Sequence, residues 1–338
     1  MPSRGIVVGS RRLLSLARVF AMTGGKIDVH HHLLPEFLKE AQEAAAGNFV
    51  SYAGFPEWSP QSSLELMDKL GINFSLLSYS APGIYFGNHN AVVDLSRQCN
   101  EYLATMAQFG SQRFGGFATL PLPNIDAALA EIEYALDTLK LEGIGLMSNV
   151  DGKYPGHVDF DRVFTELDKR SAVVFVHPTF PPRSKTEALP IPEPVMEFMF
   201  ETTRVAGNMV FSGLLERCPN IRFILPHSGG TIPFLAHRMS VFEGLPKFAD
   251  KMPAGVKTYL RTLYFDTATS GDRIPLSALQ GLVDGDHLLF GTDFPYMKNE
   301  TVLTETSFLQ DYVGFDRGDR SLMERENALS LFIDLTSP

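Results

Sequence analysis

The feature that most constrains this chain is a regular alternation. Short runs rich in β-branched or aromatic residues are followed by longer stretches with apolar residues three and four apart. The short runs read as strands and the longer spacing as amphipathic helices, so the alternation predicts repeated βα units and a parallel sheet. The strand candidates, in order, are Lys26 to Val29, Phe74 to Ser78, Gly115 to Leu120, Ile144 to Met147, Val173 to Val176, Ile221 to Leu225, Thr262 to Phe265 and His287 to Phe290. Helical patterns such as Gln61 to Leu70, Asn90 to Phe109, Ile125 to Leu139 and Phe160 to Lys169 fall between them. Such a series fits a closed barrel better than an open doubly wound sheet, which would also need a phosphate-binding glycine turn that the sequence lacks. The expected fold is therefore α/β: a (β/α)8 TIM barrel, one domain over residues 26–338, with a loop insertion after strand 1.

The length of 338 residues suits that single barrel, which commonly takes ~250 residues plus insertions. A formal charge of -10 argues against binding nucleic acid or an anionic membrane, both of which are held through clustered Lys and Arg. No apolar run reaches the ~20 residues needed to span a bilayer. Cys99 and Cys218 are the two cysteines, too few for a disulfide scaffold or a cysteine-based zinc site, and they read as buried small hydrophobes in a reducing compartment. Residues 1–25 carry Arg4, Arg11, Arg12 and Arg18, with no acid before Asp28. They read as a flexible or presequence-like extension: the expected location is cytoplasmic, or mitochondrial if the basic segment is a true presequence.

Asp28-Val29-His30-His31-His32 follows the first strand candidate. In extended chain residues two apart point the same way, so His30 and His32 can meet one ion while His31 points oppositely. His177 ends strand five, His227 strand six and Asp293 strand eight, all at the barrel end where such folds keep their chemistry. Imidazoles with one carboxylate suit a catalytic divalent metal. Strand four ends in Leu146-Met147-Ser148-Asn149 with no Lys or Glu to bridge a second ion, so one ion is expected, Zn2+ first and Mn2+ second, with no organic cofactor. Asp266, at the end of strand seven, is either a partner orienting a ligand or a turn cap. The loop residues Trp58, Tyr85, Phe86, Phe180, Phe294 and Tyr296 are candidates for an apolar slot, with Trp58, Phe180 and Phe294 put forward as substrate-binding. Arg183 is read as a solvated loop residue, and His89, His157, His237 and His287 as structural or surface residues.

The segments Ile-Asp-Val-His30-His31-His32-Leu-Leu-Pro, Val-His177-Pro, Phe200-Glu-Thr-Thr-Arg204, His227-Ser-Gly-Gly-Thr-Ile-Pro and Phe290-Gly-Thr-Asp293-Phe-Pro together resemble the amidohydrolase superfamily. The similarity is to its branch of nonoxidative decarboxylases typified by aminocarboxymuconate semialdehyde decarboxylase. The resemblance implies His30, His32, His177 and Asp293 as metal ligands and Asp293 and His227 as catalytic groups. It also implies Arg238 as a residue reaching a neighbouring subunit's pocket, hence a homodimer. Asp28 stands where several relatives have Glu, which leaves open whether it touches the metal or only orients His30. The implied reaction is decarboxylation of a small aromatic carboxylate, with 6-methylsalicylate giving 3-methylphenol and carbon dioxide as the first candidate. Metal-dependent hydrolysis of a lactone or related ester is the alternative.

Overall fold

The structure is a computed structural model that describes residues 24–45, 54–182 and 190–332. The expectations for the N-terminal extension and Arg183 fall on residues outside these, apart from the last two positions of the extension. Eight strands are hydrogen-bonded in chain order, and every resolved pairing is parallel. They are β1 Lys26–His32, β2 Ile72–Ser78, β3 Phe114–Thr119, β4 Gly143–Met147, β5 Val173–His177, β6 Arg222–Leu225, β7 Tyr264–Asp266 and β8 Leu288–Leu289. The segment just past β8 closes the ring on β1: Val29 N donates to the Phe290 carbonyl at 2.9 Å, Asp293 N to the His30 carbonyl at 2.8 Å and His32 N to the Phe294 carbonyl at 2.7 Å.

Alternation along the strands sorts the apolar residues into two layers. Ile27, Val29, Phe74, Leu76, Phe117, Val173, Phe175, Ile224 and Leu289 fill the barrel interior, together with Ala328, Leu329 and Leu331 of the helix Asn327–Phe332. Ile72, Leu77, Ala118, Ile144, Val174, Val176, Phe223, Leu225 and Phe265 face the surrounding helices and form the larger core. The packed interior leaves only the open rim for chemistry. Among the described residues no helix is long and apolar enough to cross a membrane.

The pattern changes within β1. Ile27 and Val29 are in the interior cluster, and strict alternation would send His31 there too, but a register shift lies between Asp28 and His31. The bulge re-aims the chain, so His30 and His32 turn inward and His31 turns out against Asp28.

Candidate active site

His30 and His32 at the end of β1, His177 at the end of β5 and Asp293 after β8 offer ligand atoms that all lie within 4.8 Å of one another. Each is buried. Among the described residues this is the one group of three or more His, Cys, Asp or Glu placed to hold a metal ion.

Each imidazole is fixed from behind through Nδ1. His30 Nδ1 lies 2.9 Å from Asp266 Oδ2, His32 Nδ1 donates to the Ser78 carbonyl at 3.2 Å and His177 Nδ1 to the Pro178 carbonyl at 2.7 Å. With Nδ1 so occupied, each Nε2 lone pair is directed at the common centre. Nε2 of His30 and Nε2 of His32 stand 3.0 Å apart, and Asp293 Oδ1 is 3.4 Å from the first and 3.1 Å from the second. Lone pairs that close repel unless a cation or a proton stands between them. The donor set of three nitrogens and one carboxylate oxygen fits a divalent first-row ion.

The electrostatics agree. Burial opposes charge on His30, yet the carboxylates of Asp266 and Asp293 raise it to about 10, so without an ion a proton takes the central position. Burial, joined by the charge on His30, lowers His32, and burial with the charges of His32 and His30 lowers His177 well below the usual imidazole range. Burial would raise Asp293, but the charge of His30 and hydrogen bonds from His227, His30 and His32 hold its carboxyl well below the ordinary range.

Asp266 fills both of the roles its position allowed. Its Oδ2 holds His30, while Oδ1 accepts from Ala268 N at 3.0 Å, capping the turn, and from His227 N at 2.9 Å. His227 and Asp293 both have left-handed backbone, φ 55° and 57°. Non-glycine residues rarely sit there, and such strain collects at functional sites. Gly291 makes the close approach possible, because a Cβ there would come within 2.8 Å of His30 Cβ and 3.2 Å of Asp266 Cβ.

Other expected residues lie elsewhere. The carboxylate of Asp28 turns away from the ligand cluster: Oδ1 accepts from His30 N at 3.0 Å and Thr292 N at 3.1 Å, and Oδ2 faces His31 Nδ1 at 2.9 Å. It therefore orients β1 and His31 and does not reach the metal centre. Phe294 packs its ring 5.2 Å from His31, in a cluster with Leu66, Val302 and the half-buried Trp58. The turn at Asp293 points that carboxylate inward and the next side chain outward, so Phe294 and Trp58 back the site instead of lining it. Tyr296 is the aromatic of this loop that meets a ligand, its ring 5.4 Å from His32. Phe180 stands at the rim against Phe198 at 5.8 Å, and Phe198 in turn lies 6.2 Å from His177. Phe198 was not singled out from the sequence, since one apolar residue at the start of a helix carries no distinguishing signal. Arg238 is exposed on the outer helix Ile232–Val241, its guanidinium 5.8 Å from the Phe242 ring, and contributes nothing to the site within its own chain.

The amidohydrolase family model matches residues 27–332. The chain belongs to the amidohydrolase family. It is 35% identical over 318 residues to the 6-methylsalicylic acid decarboxylase of Aspergillus aculeatus, covering 91% of this chain and 96% of that one. This places it in the decarboxylase branch and makes it a carboxy-lyase. A crystal structure of an amidohydrolase superposes with a TM-score of 0.86 at 29% identity, covering 91% of this chain and all of the other. The 5-carboxyvanillate decarboxylase of Novosphingobium aromaticivorans, solved with manganese and 4-hydroxy-3-methoxy-5-nitrobenzoic acid, shares the fold at a TM-score of 0.81 and 17% identity, over 92% of this chain and 96% of its own.

Proposed function

We propose that this protein is a metal-dependent, nonoxidative decarboxylase of hydroxylated aromatic acids, with 6-methylsalicylate as substrate and 3-methylphenol and carbon dioxide as products. The observation that carries the reading is the convergence of three tautomerically fixed imidazoles and the Asp293 carboxylate on one point at the rim of the barrel. The substrate assignment is supported by the similarity to the Aspergillus enzyme.

His30, His32, His177 and Asp293 would hold a divalent ion, which would supply Lewis-acid stabilisation of negative charge on a hydroxylated aromatic acid. Zn2+ is the ion that the nitrogen-rich set favours, and Mn2+, present in the Novosphingobium relative, is the competitor. Asp293 supplies the proton that the ring carbon needs. It rests ionised, so it is loaded within the complex, from the substrate's phenolic hydroxyl or through His227, whose Nε2 is 3.5 Å from Oδ2. Once the ring carbon carries that proton, the carbon–carbon bond breaks, its electrons restore the aromatic ring and carbon dioxide leaves; where the phenolic oxygen gave the proton, water returns one to it as 3-methylphenol is released. Tyr296 and Phe180 form aromatic walls for a planar substrate.

A homodimer belongs to the same reading. Phe234 is 84% exposed and Val241 66%, and with Arg238 they lie along one face of a single helix, an apolar stripe suited to a second copy. The test of function is a panel of salicylate-type acids and lactones given to metal-loaded protein. Carbon dioxide release from the acids is the expected result; lactone opening without it would replace decarboxylation by hydrolysis.

A further inference from the structure

Glu201, in the helix Glu197–Phe211, is fully buried, and its side chain gathers four donors. Ser148 Oγ at 2.8 Å and Asn149 Nδ2 at 2.9 Å reach Oε2; Tyr154 OH and Arg204 Nη1, each at 2.8 Å, reach Oε1. Two of these donors also hold the segment that follows the metal ligand His177. Ser148 Oγ accepts from Thr179 N at 3.0 Å, and Asn149 Nδ2 donates to the Phe180 carbonyl at 3.0 Å. Ser148 N itself donates to the His177 carbonyl at 2.7 Å. That segment includes the Pro178 carbonyl, the acceptor that fixes the His177 ring.

We propose that Glu201 is a positioning residue for the metal centre and the substrate wall. Through Ser148 and Asn149 it sets the Pro178 carbonyl, and with it the direction of the His177 lone pair, and it sets the height of Phe180 at the rim. The end of β4, which carries no bridging ligand, is thus used as the anchor of the β5 loop. A carboxylate does this where an amide would not, because all four partners approach as donors and an amide nitrogen would face one pair of them with hydrogens. The proposal rests on the reading of the four-residue cluster as a metal site, and its deciding readout, Zn2+ affinity, needs no substrate, so its failure is separable from failure of the decarboxylase assignment.

The experiment compares wild type with Glu201→Gln, Ser148→Ala and Glu131→Gln. Glu131 is a control of similar burial, 3% exposed, that accepts from Arg97 at 2.9 Å and Asn100 at 2.8 Å, both on the helix Ala91–Met106. Each protein is loaded with Zn2+ and titrated with a chelator, and its Tm is measured separately after metal removal. The expected result is Zn2+ affinity weakened about 10- to 100-fold in Glu201→Gln, the range for residues that orient ligands. Ser148→Ala should weaken it in the same direction, and Glu131→Gln should change Tm alone. In the decarboxylation assay Glu201→Gln should also raise KM, because Phe180 moves. Should Glu201→Gln fail to fold, Ser148→Ala decides by itself. Zn2+ affinity equal to wild type in the folded variants, with only Tm lowered, would overturn the proposal.

Discussion

Oδ2 of Asp293 stands 3.5 Å from Nε2 of His227, on the side of the carboxylate turned away from Nε2 of His32. One oxygen faces the metal position and the other faces the His227 ring. Replacing Asp293 with Asn keeps a ligand oxygen but removes the group that takes and gives the proton. The expected outcome is near-normal metal content with turnover reduced about 10²- to 10⁴-fold, the usual worth of a general acid. Steady-state carbon dioxide release alongside elemental analysis checks it, and wild-type turnover would remove Asp293 from this role.

Metal uptake should release protons. His32 and His177 are lowered and already neutral near pH 7, whereas His30, raised to about 10, gives up its proton when an ion takes the central position. About one proton per ion is expected at pH 7. Calorimetry of Zn2+ binding in buffers of different ionisation enthalpy measures it, and a release of zero would contradict the assignment of the central proton.

The metal-free protein should be most stable near neutrality. His30 has a folded pKa above its unfolded 6.5, so its stabilisation is complete below 6.5 and disappears as pH rises toward about 10. His32 and His177 are shifted the other way: below about 6.5 the unfolded chain binds protons that the folded protein refuses, and stability falls with pH. Asp293, depressed, adds stability above about 4 that is lost as pH falls further. Tm measured after chelation should therefore decline on both sides of neutral. A steady rise from pH 7 to pH 5 would refute the balance.

Asp28 and His31 form a fully buried pair behind the ligands, and His31 Nε2 continues to Ser63 Oγ at 2.9 Å. The order Ser63–His31–Asp28 has the sequence of contacts of a nucleophilic triad, but all three side chains are sealed, and Trp58 Nε1 also donates to the Ser63 hydroxyl at 3.0 Å. Its role is to lock β1 to the helix Pro60–Leu70. Asp28→Ala, which leaves the buried donors of His31 and Thr292 without their acceptor, should cost about 1–3 kcal/mol for each donor left unsatisfied in chemical denaturation. Ser63→Ala should cost about 1 kcal/mol. Equal small losses would mean that the pair contributes little.

The barrel was legible because strand and helix periods are local properties of the sequence, and six of the eight strand candidates overlap the observed strands by four residues or more, from Lys26–His32 through Gly143–Met147 to Arg222–Leu225, while the candidate at Tyr264–Asp266 shares two. The shortest, Leu288–Leu289, falls within its candidate as well. The spacing of His30 and His32 was legible for the same reason. The bulge before His31 was not, since a register shift depends on the partner strand. Phe294 faces away from the ligands because nearness in sequence to Asp293 says nothing of direction after a left-handed turn, and Trp58, from the loop after β1, packs on the same Leu66, Phe294 and Val302 cluster through tertiary contacts that sequence does not show. Glu201 and Ser148 are 53 positions apart, and their contact exists only once the helix after β5 docks against the end of β4.

The claim on which the rest depends is that four side chains hold one cation, and elemental analysis of the purified, metal-loaded protein tests it most directly. About one Zn2+ or Mn2+ per chain is expected in wild type and none in His30→Ala, with the circular dichroism of the two proteins alike. Wild-type protein that folds yet takes up neither ion in stoichiometric amount, or a His30→Ala variant that binds as well as wild type, would contradict it.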